Sequence, residues 1–95
     1  MNRAEFEAEL QRDGYADIVD RRMAADAVNP EHQHEFDARL LVLEGEMTIA
    51  RDGTTQTYCA GETFSMTAGC RHAEAGGPTG ARYLAGRRYR QAVAG

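Results

Sequence analysis

The chain contains neither tryptophan nor lysine, so every basic side chain is an arginine. That removes Schiff-base chemistry and a lysine general base from consideration. Cysteine is scarce too: Cys59 and Cys70 are too few for a disulfide scaffold, which makes a reducing cytoplasm the default expectation. Apolar runs are short, and none is long enough to span a bilayer. The start, MNRAEFEAEL, is charged throughout and lacks the apolar run of a signal peptide. Positive charge is in deficit, with a net charge of -4, whereas nucleic-acid binding needs a positive surface. These absences predict a cytoplasmic protein with no nucleic acid and no membrane among its partners.

The 95 residues fit one domain with a small core, because a chain of this size buries only about 60–65% of its unfolded surface. A metal ion or a second subunit would supplement such a core. Charge is unevenly spread: residues 1–50 carry 12 acids and 5 arginines, residues 51–95 carry 3 acids and 6 arginines. The late cluster Arg87, Arg88 and Arg90 reads as a solvated strand end or an interface rim.

Residues 3–12, RAEFEAELQR, place Phe6 and Leu10 at i and i+4 among good helix formers, with Asp13-Gly14 as the stop. A helical segment over 1–14 is therefore expected. From Tyr15 to the end, 15–95, short alternating segments are separated by turn signals at Asn29-Pro30, Glu44-Gly45, Asp52-Gly53, Ala60-Gly61, Ala68-Gly69 and Gly76-Gly77-Pro78. Expected strands run 17–24, 38–43, 46–51, 54–59, 63–66, 72–75 and 81–88. The fold class is all-β, a small antiparallel barrel or jelly roll with a short N-terminal helix. Asp52-Gly53 is the best hairpin signal. The run Leu40 to Leu43 is apolar on both parities, so something must cover its outer side, either the helix or a second copy in an isologous homodimer.

His32 and His34 are two residues apart, which on a strand puts both rings on one face, roughly 6–7 Å apart at the backbone. On a helix the same spacing would separate them by about 200°. Pro30 just upstream disfavours the helix. Alone, the pair fits a surface or packing role as well as a metal site.

Its surroundings carry more. HQHEFDARLLVLEGE, residues 32–46, resembles the first motif of the cupin superfamily, an H-x-H pair followed by a glutamate and then a glycine, here Gly45. GETFSMTAGCRH, residues 61–72, resembles the second, with Gly61, Gly69 and His72 in register. The chain's three histidines occupy the three histidine positions of the pattern. The resemblance implies a cupin barrel, and His32, His34 and His72 as ligands of a divalent transition metal such as Fe, Zn, Ni or Mn. Two positions depart from it. Thr67 replaces the motif proline, and Ala38 replaces the motif glutamate, so the usual carboxylate ligand is missing. Some cupin dioxygenases use three-histidine iron sites, so the resemblance still implies metal binding. Three neutral imidazoles leave the ion's charge uncancelled, and such a site favours hydroxide or an anionic ligand.

Glu35 and Asp37 have the wrong parity to replace the carboxylate unless a bulge intervenes. Glu74 shares the face of His72 and is the candidate fourth ligand or catalytic base, against the alternative of a solvated or salt-bridged glutamate. Cys70 shares that parity as well, as a small turn residue or a thiolate ligand. Cys59 reads as core. Tyr58, Tyr83, Phe64, Met47 and Met66 read as barrel lining, and Arg39 and Arg71 as surface arginines or carboxylate receptors at the mouth. The functional expectation is a metal-binding barrel acting on a small-molecule ligand or substrate as an oxygenase or isomerase. The alternatives are a non-catalytic or sensory binding module, or a metal-free barrel.

Overall fold

In the computed structural model Asn2 caps the one helix among the described residues, its side chain accepting from the Glu5 amide at 2.9 Å. The structure describes residues 1–89, so Arg90 of the arginine cluster lies outside the described residues. The helix α1 spans Arg3–Arg12, as the spacing of Phe6 and Leu10 predicts, and Gly14 follows it with φ of +78°. Six strands succeed it: β1 Ala16–Met23, β2 Val28–His32, β3 Phe36–Arg51, β4 Thr54–Cys59, β5 Thr63–Met66 and β6 His72–Tyr89. All pairings are antiparallel, in the order β1-β6-β3-β4, with β2 added to β6 and β5 to β3. The result is the expected small antiparallel barrel. No described helix is long and apolar enough to cross a membrane.

Two turn signals prove to be bends inside long strands. Glu44-Gly45 lies within β3, where the pairing with β6 shifts register on either side, and Gly45 has φ of +71°. Gly76-Gly77-Pro78 lies within β6. Glycine in a strand interior marks a bulge or a close backbone approach as often as a turn. At Gly45 the approach is extreme: an added Cβ would overlap the Gly80 carbonyl oxygen. Asp52-Gly53 does form the β3–β4 hairpin turn, with positive φ at both residues. Asn29-Pro30 lies inside β2, an exposed strand for which a turn was expected. Proline is tolerated there because β2 pairs through Val28, Asn29 and His32, leaving Pro30 free of the ladder.

The apolar run of β3 serves two cores. Leu40 and Val42 face the barrel interior with Met47, Ile49, Tyr58, Phe64 and Met66. Leu41 faces outward onto Phe6, Leu10, Tyr15 and Leu84, with Leu43 packed alongside. The helix is thus the cover the two-faced strand requires, and Phe6 and Leu10 are fully buried beneath it. Each such side chain contributes about 1.5–3 kcal/mol. Of the two covers expected for this face, the helix and a second copy, the helix is the one seen within the chain. Cys59, expected in the core, is exposed at the end of β4, because the inward parity belongs to Tyr58.

Candidate metal centre

β2 ends on His32, and in the ladder His32 is the partner of His72, the first residue of β6. That pairing brings together residues 40 apart in sequence. His34 follows in the connector to β3. The three rings form a cluster with centroid separations of 4.3 Å (His32–His72), 4.8 Å (His32–His34) and 5.5 Å (His34–His72). One ligating nitrogen from each lies within 4.8 Å of the other two. The convergence inferred from H-x-H spacing and motif register is therefore realised.

Backbone carbonyls set the tautomers. His32 Nδ1 donates to the Pro30 oxygen at 2.7 Å, and His72 Nδ1 donates to the Cys70 oxygen at 3.0 Å. A carbonyl only accepts, so in each neutral ring the proton is on Nδ1 and the lone pair is on Nε2. His72 Nε2 is fully buried and has no hydrogen-bond partner. A buried polar nitrogen without a partner costs about 1–3 kcal/mol. His34 stacks on Phe36 at 4.6 Å. Burial, followed by the neighbouring His32 and His72, pushes its pKa down, which keeps it neutral and competent as a ligand.

Glu74 reaches the cluster. Its Oε1 lies 3.2 Å from His32 Nε2 and 3.9 Å from His72 Nε2, and the residue is nine-tenths buried. Carboxylate oxygen and imidazole Nε2 both present lone pairs, so the 3.2 Å approach needs a positive centre between or beside them, a proton or a cation. The orphaned His72 nitrogen asks for the same thing. The donor set fits a divalent transition ion: three imidazoles, two of them of fixed tautomer, with one carboxylate at hand.

Other expected participants fall elsewhere. Asp37 is buried on the opposite side of β3, where it accepts from the Ala68 amide at 2.8 Å and from Arg88 at 3.0 Å. Glu35 is exposed. Cys70 contributes its carbonyl rather than its sulfur. Arg39 is tied to Asp13 at 2.7 Å and lies over the Tyr15 ring, and Arg71 is tied to Glu31 at 2.6 Å. Neither lines the cavity beside the histidines.

That cavity has a volume of about 120 Å³. Ala38 forms part of its wall, where the motif glutamate would stand. Arg21, Tyr83 and Arg87 line it as well, so Arg87 faces the cavity rather than being only the solvated strand end or interface rim that the arginine cluster suggests. The alternation Tyr83, Ala85, Arg87 along β6 was the available signal, since it puts Arg87 on the face of a residue read as barrel lining.

A family model described as the cupin domain matches residues 20–84. Among solved structures, a cupin superfamily protein from Desulfitobacterium hafniense DCB-2 superposes with a TM-score of 0.70 at 22% identity, covering 77% of this chain and 66% of its own length. A protein of unknown function from Rhizobium leguminosarum bv. viciae 3841 gives 0.69 at 21% identity, covering 90% of this chain and 92% of its own. KdgF from a Halomonas species gives 0.65 at 21% identity, over 78% of this chain and 69% of its own. At these identities the likeness concerns the fold. No curated protein matches the sequence.

Proposed function

The chain belongs to the cupin domain family, and we propose that it is a metal-dependent cupin acting on a small molecule, with His32, His34 and His72 holding a divalent transition ion. The observation that carries this reading is the buried, partnerless Nε2 of His72, set facing Glu74 and the other two imidazoles. Bound there, the ion supplies Lewis-acid polarisation and open coordination positions. This favours oxygenation or isomerisation of a small substrate, reactions that ask little of other side chains.

The chain's own residues then divide the work. Carbonyls of Pro30 and Cys70 hold two imidazoles in the ligating tautomer. Glu74, absent from the motif but directed at the cluster, offsets the ion's charge and is the proton acceptor nearest a ligand in the cavity. Tyr83, half-buried, has its pKa raised by burial and then by Glu74, so its phenol stays protonated as a hydrogen-bond donor. Phe36, Leu40 and Met66 exclude water from the remaining wall.

Metal analysis tests the reading. Protein as isolated, or reconstituted with iron, zinc, nickel or manganese, is expected to hold close to one equivalent, and His72→Ala to lose most of it. Less than about a tenth of an equivalent of every metal in the parent protein would sink the proposal.

A further inference from the structure

Two arginines at the cavity are left without an acidic partner. Arg21 on β1 and Arg87 on β6 line it from the same face as His72 and Glu74. Among the described residues neither makes an ion pair, whereas Arg3, Arg12, Arg22, Arg39, Arg71, Arg82 and Arg88 each sit beside a carboxylate. The chain has 15 acids for 11 arginines, so unpaired guanidinium groups are not forced by any shortage of carboxylates. With Glu74 the one acid in the lining, the cavity is positive before any dication enters.

Arg87 is also held in place. Its guanidinium lies 4.5 Å over the Phe36 ring, and Phe36 stacks in turn on His34 at 4.6 Å. A guanidinium resting on an aromatic face keeps its N–H fork free in its own plane, the geometry that meets a carboxylate with two parallel hydrogen bonds. In the ladder Arg87 is opposite Ala38, and Arg21 is opposite Tyr83. The place where the motif would put a protein carboxylate is therefore a small apolar residue facing a free arginine.

We infer that the cavity binds a small carboxylic acid, its carboxylate taken by Arg87 and Arg21 and its short carbon skeleton lying over Ala38 toward the three histidines. The inference rests on the metal reading for the far end of the ligand and is independent of it for the arginine end. At about 120 Å³ the cavity is well below the roughly 300–1,000 Å³ of sites for drug-sized ligands, so the acid is short. The apolar walls of Val19, Leu40 and Met66 suit an alkyl or keto-alkyl chain. A free phosphate shares the arginine chemistry but has no use for those walls.

The test is calorimetric titration of the full chain, metal-free and zinc-loaded, with pyruvate, its neutral isostere pyruvamide, and inorganic phosphate. Pyruvate is expected to bind at least about tenfold more tightly than pyruvamide, the worth of one charge-assisted hydrogen-bonded pair. Arg87→Gln and Arg21→Gln should each weaken pyruvate by a similar factor with zinc content unchanged. Arg22→Gln makes the same charge change beside Glu44, away from the cavity, and should have no effect. Ala38→Glu, which sets a carboxylate opposite Arg87, should keep zinc and lose pyruvate.

Equal affinities for pyruvate and pyruvamide, or pyruvate binding indifferent to both arginines, would overturn the inference while a full zinc equivalent left the metal centre standing. Arginine-dependent pyruvate binding by a protein that takes up no metal would do the reverse. Phosphate binding more tightly than pyruvate, or no pyruvate binding to either form, would also overturn it.

Discussion

Ala38 is the residue at which this barrel departs most from the pattern it resembles. In the structure it is buried in the interior, in register with Met66 on one side and Arg87 on the other. A carboxylate does approach the histidines from a different strand, Glu74 Oε1 lying 3.2 Å from His32 Nε2. Restoring a glutamate should add a second anion to a site with three neutral donors. Ala38→Glu is therefore expected to tighten zinc binding about tenfold or more, read by competition with a chromophoric chelator; unchanged affinity would mean that position 38 does not face the ion. Glu74 was legible from its two-residue step beyond His72 on β6, and the histidines from their motif register, although His34 lies just past the end of β2 and its place is not set by strand parity. The free arginines were not, because their meaning depends on which carboxylates reach them, and ion pairs such as Arg82–Asp20 join residues far apart in sequence.

At the scale of elements, the helix and the central strand account for each other. Leu41 and Leu84 present an outward apolar face that α1 covers with Phe6 and Leu10. Leu10→Ala should cost about 2–5 kcal/mol in chemical denaturation, as for other buried leucines, and a cost below about 1 kcal/mol would show that the helix is not firmly docked. Gly45 is the second such position. Its positive φ and the proximity of the Gly80 carbonyl leave no room for a side chain, so Gly45→Ala should cost about 2–3 kcal/mol, by the same measurement. Strand existence was largely readable from turn chemistry, but continuity was not. A glycine that bends a strand and a glycine that ends one look alike until the partner strand is known, and β3 and β6 each contain such bends.

For the molecule as a whole, surface ion pairs join the helix, the edge strand and the central strands. Asp13 binds Arg12 and Arg39, whose hydrogen bonds hold its carboxyl far below the usual range, and Asp20 is lowered by Arg82 in the same way. The unfolded chain protonates these groups in the ordinary aspartate range, and the folded chain resists until lower pH. Their stabilisation is thus present in full above about pH 4 and is lost as pH falls through the depressed folded values. Thermal midpoints should decline in two stages, first below about pH 6.5, where the unfolded chain protonates His34 and the folded chain resists, and then below about pH 4 with the two aspartates. In Asp20→Asn that acid decline should be shallower, and an identical pH profile would show that the Arg82 pair is silent in solution.

The register that sets His32 against His72 has a consequence for folding. An ion gripped by both, and by His34, closes a loop of 40 residues that carries β3, β4 and β5, and it fastens the exposed strand β2 at its last residue. Metal supply would then bear on stability as well as on activity, since an ion held by the folded chain and released by the unfolded one favours the native topology by mass action.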